Sequence, residues 1–253
     1  MKLLKQITFA LLVTLLIVYI ALLFGVDNKY ANNEGSDDSL DYQLLYEDIK
    51  DKVIPYIVYA NVIIEGKEYV GEIIEDKQNG TTYCVKVNDE LFWIDSKKVS
   101  IVDPFVDEVE DLTNEEIELY ININHYDSLT DYFLWVDIYR NQTYVLKKNN
   151  NEFKMINRLF CATGKNSTPT KRGLYEINAK GEEFLGRDKT YKCYYFMQYC
   201  GSYLLHSFPY DLENNVKDNR IEARVSNGCV RYSLKDSKYL YDLIPSGTSI
   251  WLN

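Results

Sequence analysis

The sequence has 253 residues and a formal net charge of −10 at pH 7, a length that suits one or two modest folded domains. Residues 1–130 carry 10 Lys/Arg against 25 Asp/Glu, whereas residues 131–253 carry 18 against 13. A basic C-terminal half suits an anionic substrate, although an ordinary solvated surface gives the same balance. With only two His and no Cys or His at metal-ligand spacing, we predict no metal centre, no cofactor and no nucleic-acid partner.

The N-terminus has the pattern of an export element. Lys2 and Lys5 precede an uncharged apolar run over residues 7–24, and acidic residues follow it. This charge order predicts a signal-anchor transmembrane helix within residues 1–25, with the rest of the chain outside the cell membrane. A cleaved signal peptide is the alternative, but the bulky residues 22–24 offer no small-residue cleavage site. Residues 26–50 are polar and acidic, and they predict a flexible stalk.

Residues 51–104 contain closely spaced strand patterns. We predict strands over 53–64, 69–74, 82–87 and 91–94, separated by turns at Gly66-Lys67, Asn79-Gly80 and Asn88-Asp89. Short strands at this spacing predict a small barrel. The segment 92–99 resembles the last strands of bacterial SH3-like wall-associated domains. Whether such a barrel binds the wall or acts as a spacer stays open.

A linker with a short helix is predicted over residues 105–130. Thr113 and Glu116 have the spacing of a capping box, and Ile117, Tyr120 and Ile121 form one apolar face. Strand patterns return in residues 131–253, at 133–139, 143–147, 153–160 and 248–252, with a helix over 233–243. The chain is therefore predicted to be mainly β.

The segment 226–231 is the most informative for chemistry. Gly228 before Cys229 permits a tight turn and exposes backbone amides near the sulfur. Such amides can stabilise the oxyanion that forms when a thiolate attacks a carbonyl. A cysteine nucleophile needs a nearby base, and His206 follows the apolar residues 203–205. From the residues alone this is a Cys–His hypothesis, since most single cysteines are inert and buried.

Several blocks in residues 131–253 together resemble the catalytic domain of L,D-transpeptidases, also called the YkuD domain. The blocks lie in the family's order at 135–146, 161–175, 205–207 and 226–231, followed by the capped helix and the Pro-x-Gly-Thr ending. The resemblance implies a β-sandwich or mixed-sheet domain with a short helix after the catalytic cysteine. Residue 161 is Cys within the block that resembles the family's "STGK" motif.

The family's roles carry over to matching positions. The resemblance implies that Cys229 is the nucleophile and that His206 is its base. The backbone carbonyl of Ser207 would orient the imidazole, and the amides of Gly228 and Cys229 would form the oxyanion hole. Arg231 would contact a substrate carboxylate or brace the loop.

One position departs from the family's "SHGCxR" motif. Asn227 stands where the family has His, so it can donate a hydrogen bond but cannot act as an acid or base. We predict that Asn227, together with Ser226 and Arg231, contacts the substrate. The remaining cysteines are predicted to be buried free thiols, although a disulfide between Cys193 and Cys200 is conceivable outside the cell.

The resemblance implies that the protein acts on peptidoglycan. Cys229 would form a thioester with a tetrapeptide stem, and an amine of an acceptor stem would then form a 3–3 cross-link. The alternatives are an L,D-carboxypeptidase with water as acceptor, an inactive wall-binding protein, and a sortase. A sortase is disfavoured because Gly precedes Cys229 and because the spacing from His206 to Cys229 is short. Carbapenems, which inhibit the family, are natural probes. The expected location is the cell membrane, with the catalytic domain facing the wall.

Overall fold

A computed structural model describes residues 38–77, 81–102 and 110–253, and the predicted anchor in residues 1–25 lies outside these ranges. Among the described residues, no helix is both long enough and apolar enough to cross a bilayer. The described helices are α1 (Asp38–Lys52), α2 (Asn114–Ile123) and α3 (Leu234–Leu243). The described strands are β1 (Tyr59–Ile64), β2 (Lys67–Asp76), β3 (Thr82–Val87), β4 (Glu90–Asp95), β5 (Val99–Val102), β6 (Tyr132–Asp137), β7 (Gln142–Asn149), β8 (Glu152–Phe160), β9 (Thr163–Gly164), β10 (Gly173–Glu176), β11 (Ala179–Leu185), β12 (Lys192–Cys200), β13 (Tyr203–Ser207), β14 (Arg224–Ser226), β15 (Val230–Tyr232) and β16 (Ser249–Leu252).

The first five strands form an antiparallel sheet in the order β4-β3-β2-β1-β5. Both residues of the Asn88-Asp89 turn have positive φ, as the sequence pattern predicts for a tight hairpin. The first turn is Glu65-Gly66 rather than Gly66-Lys67, because these are the two residues with positive φ. The predicted turn at 79–80 lies outside the described residues. The strand predicted from Val53 begins only at Tyr59.

The remaining strands form two larger sheets and one small pair. Their orders are β10-β16-β6-β7-β8 and β11-β12-β13-β15, and β14 pairs with β9. Strand β6 is apolar without alternation because both its faces are covered. Leu134 and Val136 belong to one buried cluster, whereas Phe133 and Trp135 belong to the other. The fold is therefore mainly β, as the sequence predicted.

The predicted flexible stalk is wrong for its last residues, because α1 begins at Asp38. The end of α1 is ordered by burial: Ile49 and Val53 pack in the same cluster as Ile117 and Ile121 of α2. The capping box of α2 is confirmed, with hydrogen bonds in both directions between Thr113 and the third helical residue. Polar composition predicted a stalk, but Ile49 at the end of α1 is buried and Lys52 pairs with Glu116 of α2.

Residues 45–253 form one compact unit, so the first sheet packs directly against the C-terminal sheets. The hydroxyl of Tyr83 on β3 donates to the carbonyl of Ser167 at 2.8 Å. Lys171 forms an ion pair with Glu75 at 2.5 Å, and Arg172 pairs with Glu72. These contacts fix the first sheet beside the loop that joins β9 to β10.

Candidate active site

His206 lies on β13, and Cys229 lies immediately before the neighbouring parallel strand, β15. In the pairing of β13 with β15, Leu205 lies opposite Val230 and His206 lies opposite Arg231. Leu205 and Val230 belong to the large buried cluster, so the next residue on each strand, His206 and Arg231, points to the other face. Cys229 directly precedes β15. The fold therefore brings the two predicted catalytic residues to adjacent strands.

The imidazole of His206 is held in one orientation. Its Nδ1 lies 2.6 Å from the carbonyl oxygen of Ser207, which can only accept a hydrogen bond, so Nδ1 carries the proton. The Nε2 atom of the neutral ring is then the free base. The ring of Phe184 contacts the imidazole edge-on, with centroids 5.2 Å apart. This geometry matches the orienting role predicted for the Ser207 carbonyl.

The histidine is neutral at physiological pH. Its side chain is only 4% exposed, and burial lowers its pKa to about 3. The bond to Ser207 opposes this decrease, whereas the cation of Arg231 adds to it. A neutral imidazole can accept a proton, so burial keeps His206 in the form that a general base needs.

The thiol of Cys229 is partly accessible. Its Sγ lies 3.7 Å from the carbonyl oxygen of Ser202, to which the thiol donates. Its packed surroundings raise the pKa of the thiol, and the backbone N–H of Leu204 and the Arg231 cation only partly oppose this. The resting site therefore contains a neutral thiol and a neutral imidazole. Within residues 110–253, no hydrogen bond joins Cys229 to His206 directly.

The loop before the thiol is braced by Ser226. The buried Ser226 hydroxyl donates to the carbonyl of Cys229 at 2.5 Å and accepts the N–H of Gly228 at 3.1 Å. Ser226 was predicted to contact substrate, but its hydroxyl is used inside the loop. In the free protein the N–H of Gly228, which is predicted to donate to the oxyanion, donates to the Ser226 hydroxyl.

Gly228 is required by its backbone and by its neighbour. Its φ is +100°, a region that strongly favours glycine. A Cβ at this position would lie 2.6 Å from Cε1 of Tyr203. The glycine therefore lets the loop pass directly against the Tyr203 ring.

Asn227 and Arg231 have different surroundings. Asn227 is exposed on the loop. Arg231 forms an ion pair with Asp218 at 3.3 Å, with 14% of its side chain exposed. The pairing supports the bracing role for Arg231 over a substrate contact, because its charge is already compensated.

Two threonines before β10 make hydrogen bonds near the nucleophile loop. The Thr168 hydroxyl donates to the carbonyl of Ser226 at 3.0 Å. The Thr170 hydroxyl accepts the N–H of Gly164 at 2.8 Å. The sequence placed both threonines in a recognisable block, but only the fold shows that Thr168 supports the nucleophile loop, whereas Thr170 holds Gly164 of β9.

The other four cysteines lie outside the nucleophile loop, although Cys193 is close enough to the site for Arg231 and Cys229 to act on its pKa, which burial raises. All five cysteines are free thiols, and Cys84, Cys161 and Cys193 are buried. Cys193 and Cys200 lie on one extended strand, about 23 Å apart for seven residues, which is too far for a disulfide. Among the described residues, no cluster of His, Cys, Asp or Glu could hold a metal ion.

Comparison with known proteins gives a consistent assignment. Residues 131–252 match the family model of YkuD, the L,D-transpeptidase catalytic domain. The chain is 25% identical over 133 residues to YciB of Bacillus subtilis (strain 168), a protein provisionally named as an L,D-transpeptidase. That match covers 49% of this chain and 68% of YciB.

This chain is also similar to several solved structures. A fused Zn-dependent amidase/peptidase/peptidoglycan-binding domain-containing protein from Clostridium acetobutylicum ATCC 824 is 33% identical, with a TM-score of 0.44; the match covers 52% of this chain and 57% of that one. An L,D-transpeptidase from Stackebrandtia nassauensis is 19% identical, with a TM-score of 0.39 and coverage of 51% and 58%. This chain therefore spans a little over half the length of these solved chains.

A thiol and a carbonyl-anchored imidazole on neighbouring strands are the arrangement that cysteine-dependent acyltransferases and peptidases use. Within that class, residues 131–252 are similar to the YkuD-type L,D-transpeptidase catalytic domain.

Proposed function

We propose that this protein is a cysteine-dependent L,D-transpeptidase that acts on peptidoglycan stem peptides. Cys229 is the nucleophile, and His206 is its base. The observation that carries the proposal is the 2.6 Å contact between His206 Nδ1 and the Ser207 carbonyl, because it leaves Nε2 of His206 unprotonated. The partly accessible thiol of Cys229 directly precedes the strand that pairs with the strand of His206. The match of residues 131–252 to the L,D-transpeptidase domain supports the substrate class.

In the first half-reaction, Nε2 of His206 takes the thiol proton as the sulfur of Cys229 attacks the carbonyl of the third residue of a tetrapeptide stem. The bond from carbon to the terminal D-alanine nitrogen breaks, and the imidazolium returns the proton to that amine. A thioester remains on Cys229. Because the Cys229 thiol and the His206 imidazole are both neutral at rest, the proton moves to the imidazole while the sulfur attacks the carbonyl and not before.

The backbone N–H of Cys229 is the proposed main donor to the oxyanion. The Gly228 N–H contributes only if the Ser226 hydroxyl releases it, since the two groups are hydrogen-bonded in the free protein. Ser226 and Thr168 thus act as positioning residues for the loop.

In the second half-reaction, an amine of an acceptor stem attacks the thioester and forms a 3–3 cross-link. Water in place of the amine would give an L,D-carboxypeptidase. Both outcomes share the same thioester, so a product assay with and without an acceptor amine separates them.

The cellular setting is proposed from the sequence. An anchor within residues 1–25 would hold the enzyme at the cell membrane with its catalytic domain facing the wall. We propose that residues 51–104 form an SH3-like barrel. Its strand order and the 3₁₀ turn at Ser96–Lys98 before β5 support this.

The test is incubation of the protein with a tetrapeptide donor, followed by analysis of released D-alanine and products. The parent should release D-alanine, and Cys229→Ala should not. Cys200→Ala is the matched control, since Cys200 is also a partly accessible thiol but is not next to His206, and it should retain release. Release of D-alanine by Cys229→Ala at the parental rate would refute the proposal.

A further inference from the structure

Two buried tyrosines from the N-terminal part of the chain contact the segments that hold the nucleophile loop. Tyr56 lies between α1 and β1, and Tyr83 lies on β3, an inner strand of the first sheet. Their side chains are 7% and 4% exposed. We call this pair the tyrosine clamp. Both tyrosines lie outside residues 131–253, which contain all the predicted catalytic groups, so the clamp joins two parts of the chain.

Tyr83 holds the loop between β9 and β10. Its hydroxyl donates to the carbonyl of Ser167 at 2.8 Å. The next residue, Thr168, donates its hydroxyl to the carbonyl of Ser226 at 3.0 Å. The N–H of Lys165 donates to the same Ser226 carbonyl at 3.1 Å. A shift of this loop would therefore displace two donors to Ser226 together.

Tyr56 contacts the same loop and also β14. Its hydroxyl donates to Oδ1 of Asn166 at 2.6 Å. Its ring covers the guanidinium of Arg224, whose Cζ lies 3.7 Å from the ring centroid. The other side of Arg224 is fixed by the backbone carbonyls of 138–139, which accept from its Nη2 at 3.1 and 2.7 Å. Since β14 runs from Arg224 to Ser226, Tyr56 holds the strand that ends at Ser226.

The contacts of the tyrosine clamp converge on Ser226. The Ser226 hydroxyl donates to the carbonyl of Cys229 and accepts the N–H of Gly228. Hydrogen bonds weaken steeply when their angle or length is disturbed, so a displaced Ser226 would present the thiol differently. A misplacement of reacting groups by about 1 Å can cost about 10²-fold in rate.

Two ion pairs hold the other end of the loop between β9 and β10. Lys171 pairs with Glu75 at 2.5 Å, and Arg172 pairs with Glu72. All four side chains are between 19% and 28% exposed, so these pairs are screened less than pairs on an open surface. The first sheet thus holds this loop at both ends, and the tyrosine clamp supplies the contacts nearest to Ser226.

We propose that the tyrosine clamp positions the nucleophile loop, so that the N-terminal part of this chain contributes to the reaction at Cys229. This inference rests on the transpeptidase function proposed above. Tyr56 and Tyr83 are positioning residues, because they act through Ser226 and its hydrogen bonds. This task of the first sheet is separate from any binding of the wall.

The first experiment follows carbapenem acylation of the full-length protein by intact mass over a range of carbapenem concentrations. In Tyr56→Phe/Tyr83→Phe, which retains both rings, the acylation rate at saturating carbapenem should fall about tenfold. The concentration that gives half the maximal rate should change by less than about twofold, because the clamp acts on the nucleophile. Tyr69→Phe is the control, because Tyr69 of β2 is partly buried and its hydroxyl makes no hydrogen bond within the described residues.

A parental rate at saturating carbapenem in Tyr56→Phe/Tyr83→Phe would overturn the proposal. If urea denaturation then showed a loss of stability, the clamp would be structural only. A higher half-saturating concentration with a parental maximal rate would assign the two tyrosines to ligand binding and would overturn the proposal as well. An equal loss of rate in Tyr69→Phe would contradict it by assigning the effect to the first sheet as a whole.

A double-mutant cycle tests the path from Tyr83 to Ser226. Tyr83→Phe and Thr168→Val should each slow acylation about two- to tenfold, the effect of losing one hydrogen bond. Together they should slow it little more than the stronger change alone, because both interrupt the same path. Losses that multiply would show that Tyr83 acts independently of Thr168 and would refute this path.

Hydrogen exchange separates this inference from the proposed function, because it needs no donor. The N–H of Gly228 should exchange about tenfold faster in Tyr56→Phe/Tyr83→Phe than in the parent, since its bond to Ser226 opens more often. Mass spectrometry of peptides that cover 224–230 measures this rate. Unchanged exchange would refute the clamp. A parent that forms no acyl-enzyme with any donor would refute the enzymatic proposal, while the exchange rates still decide whether the clamp holds the loop.

Discussion

Replacement of Gly228 by alanine tests the geometry that presents the nucleophile. The added Cβ would lie 2.6 Å from Cε1 of Tyr203 and 3.3 Å from the carbonyl oxygen of Pro169. Forcing the Tyr203 ring or the loop to move costs about 1–3 kcal/mol. The φ of +100° adds about 1–3 kcal/mol of backbone strain for a residue with a side chain. We therefore expect Gly228→Ala to lower the free energy of unfolding by roughly 2–6 kcal/mol.

The assay is urea denaturation of Gly228→Ala, made once in the parent and once in Tyr203→Ala, with carbapenem acylation of each protein measured by intact mass. In a Tyr203→Ala background the steric part should disappear, so the added cost of Gly228→Ala should fall to about 1–3 kcal/mol. Acylation should drop in Gly228→Ala even where the protein is folded, because the thiol is displaced. Equal costs in both backgrounds, or parental stability and acylation, would refute the reasoning.

Four other outcomes follow from the site. Because burial lowers the pKa of His206 to about 3, this base stays unprotonated between pH 7 and about pH 5, and the rate of carbapenem acylation should not fall through its protonation. A decline of the rate with an apparent pKa near the usual ~6.5 would contradict this. His206 binds a proton near pH 6.5 in the unfolded state but only near pH 3 in the folded state. The contribution of His206 to the free energy of unfolding is therefore present above about pH 6.5 and is lost as the pH falls towards 3. Urea denaturation of the parent and of His206→Gln should differ in this window. Ser226→Ala should lower stability by about 1–3 kcal/mol and slow acylation, since the Gly228 N–H and the Cys229 carbonyl lose their partner; normal acylation kinetics would argue against the brace. His206→Ala should slow acylation about 10²–10⁴-fold, whereas Asn227→Ala should slow it less than about tenfold, and comparable near-total losses would mean that Asn227 has been misassigned.

Local patterns in the sequence predicted much of the fold. The capping box at Thr113, the Asn88-Asp89 turn and the helix after Ser233 each depend on residues within a few positions of one another. Such features are encoded locally, so they can be recognised without a structure. The end of α1 was missed because Ile49 is buried only through contacts with distant residues.

The candidate site was likewise predictable from the sequence only in part. Cys229, His206 and Ser207 were identified from motifs, and the fold brings them to adjacent strands. The use of the Ser226 hydroxyl within the loop could not be predicted, because it depends on the turn that Gly228 makes against Tyr203.

The position of Trp93 beside the turn between β12 and β13 could not be predicted from the sequence either. It follows from the packing of the first sheet on the 200–203 turn, which joins residues more than a hundred positions apart. The pattern of β4 predicts an exposed aromatic residue on a strand but cannot say what that residue faces.

The most direct test of the Cys229–His206 pair is peptide mapping of the full-length protein after treatment with a carbapenem or a tetrapeptide donor. The account predicts one acyl group on Cys229 in the parent, none in Cys229→Ala, and strongly delayed modification in His206→Ala. An acyl group on Cys200 or Cys193, or equally fast modification without the imidazole, would contradict it.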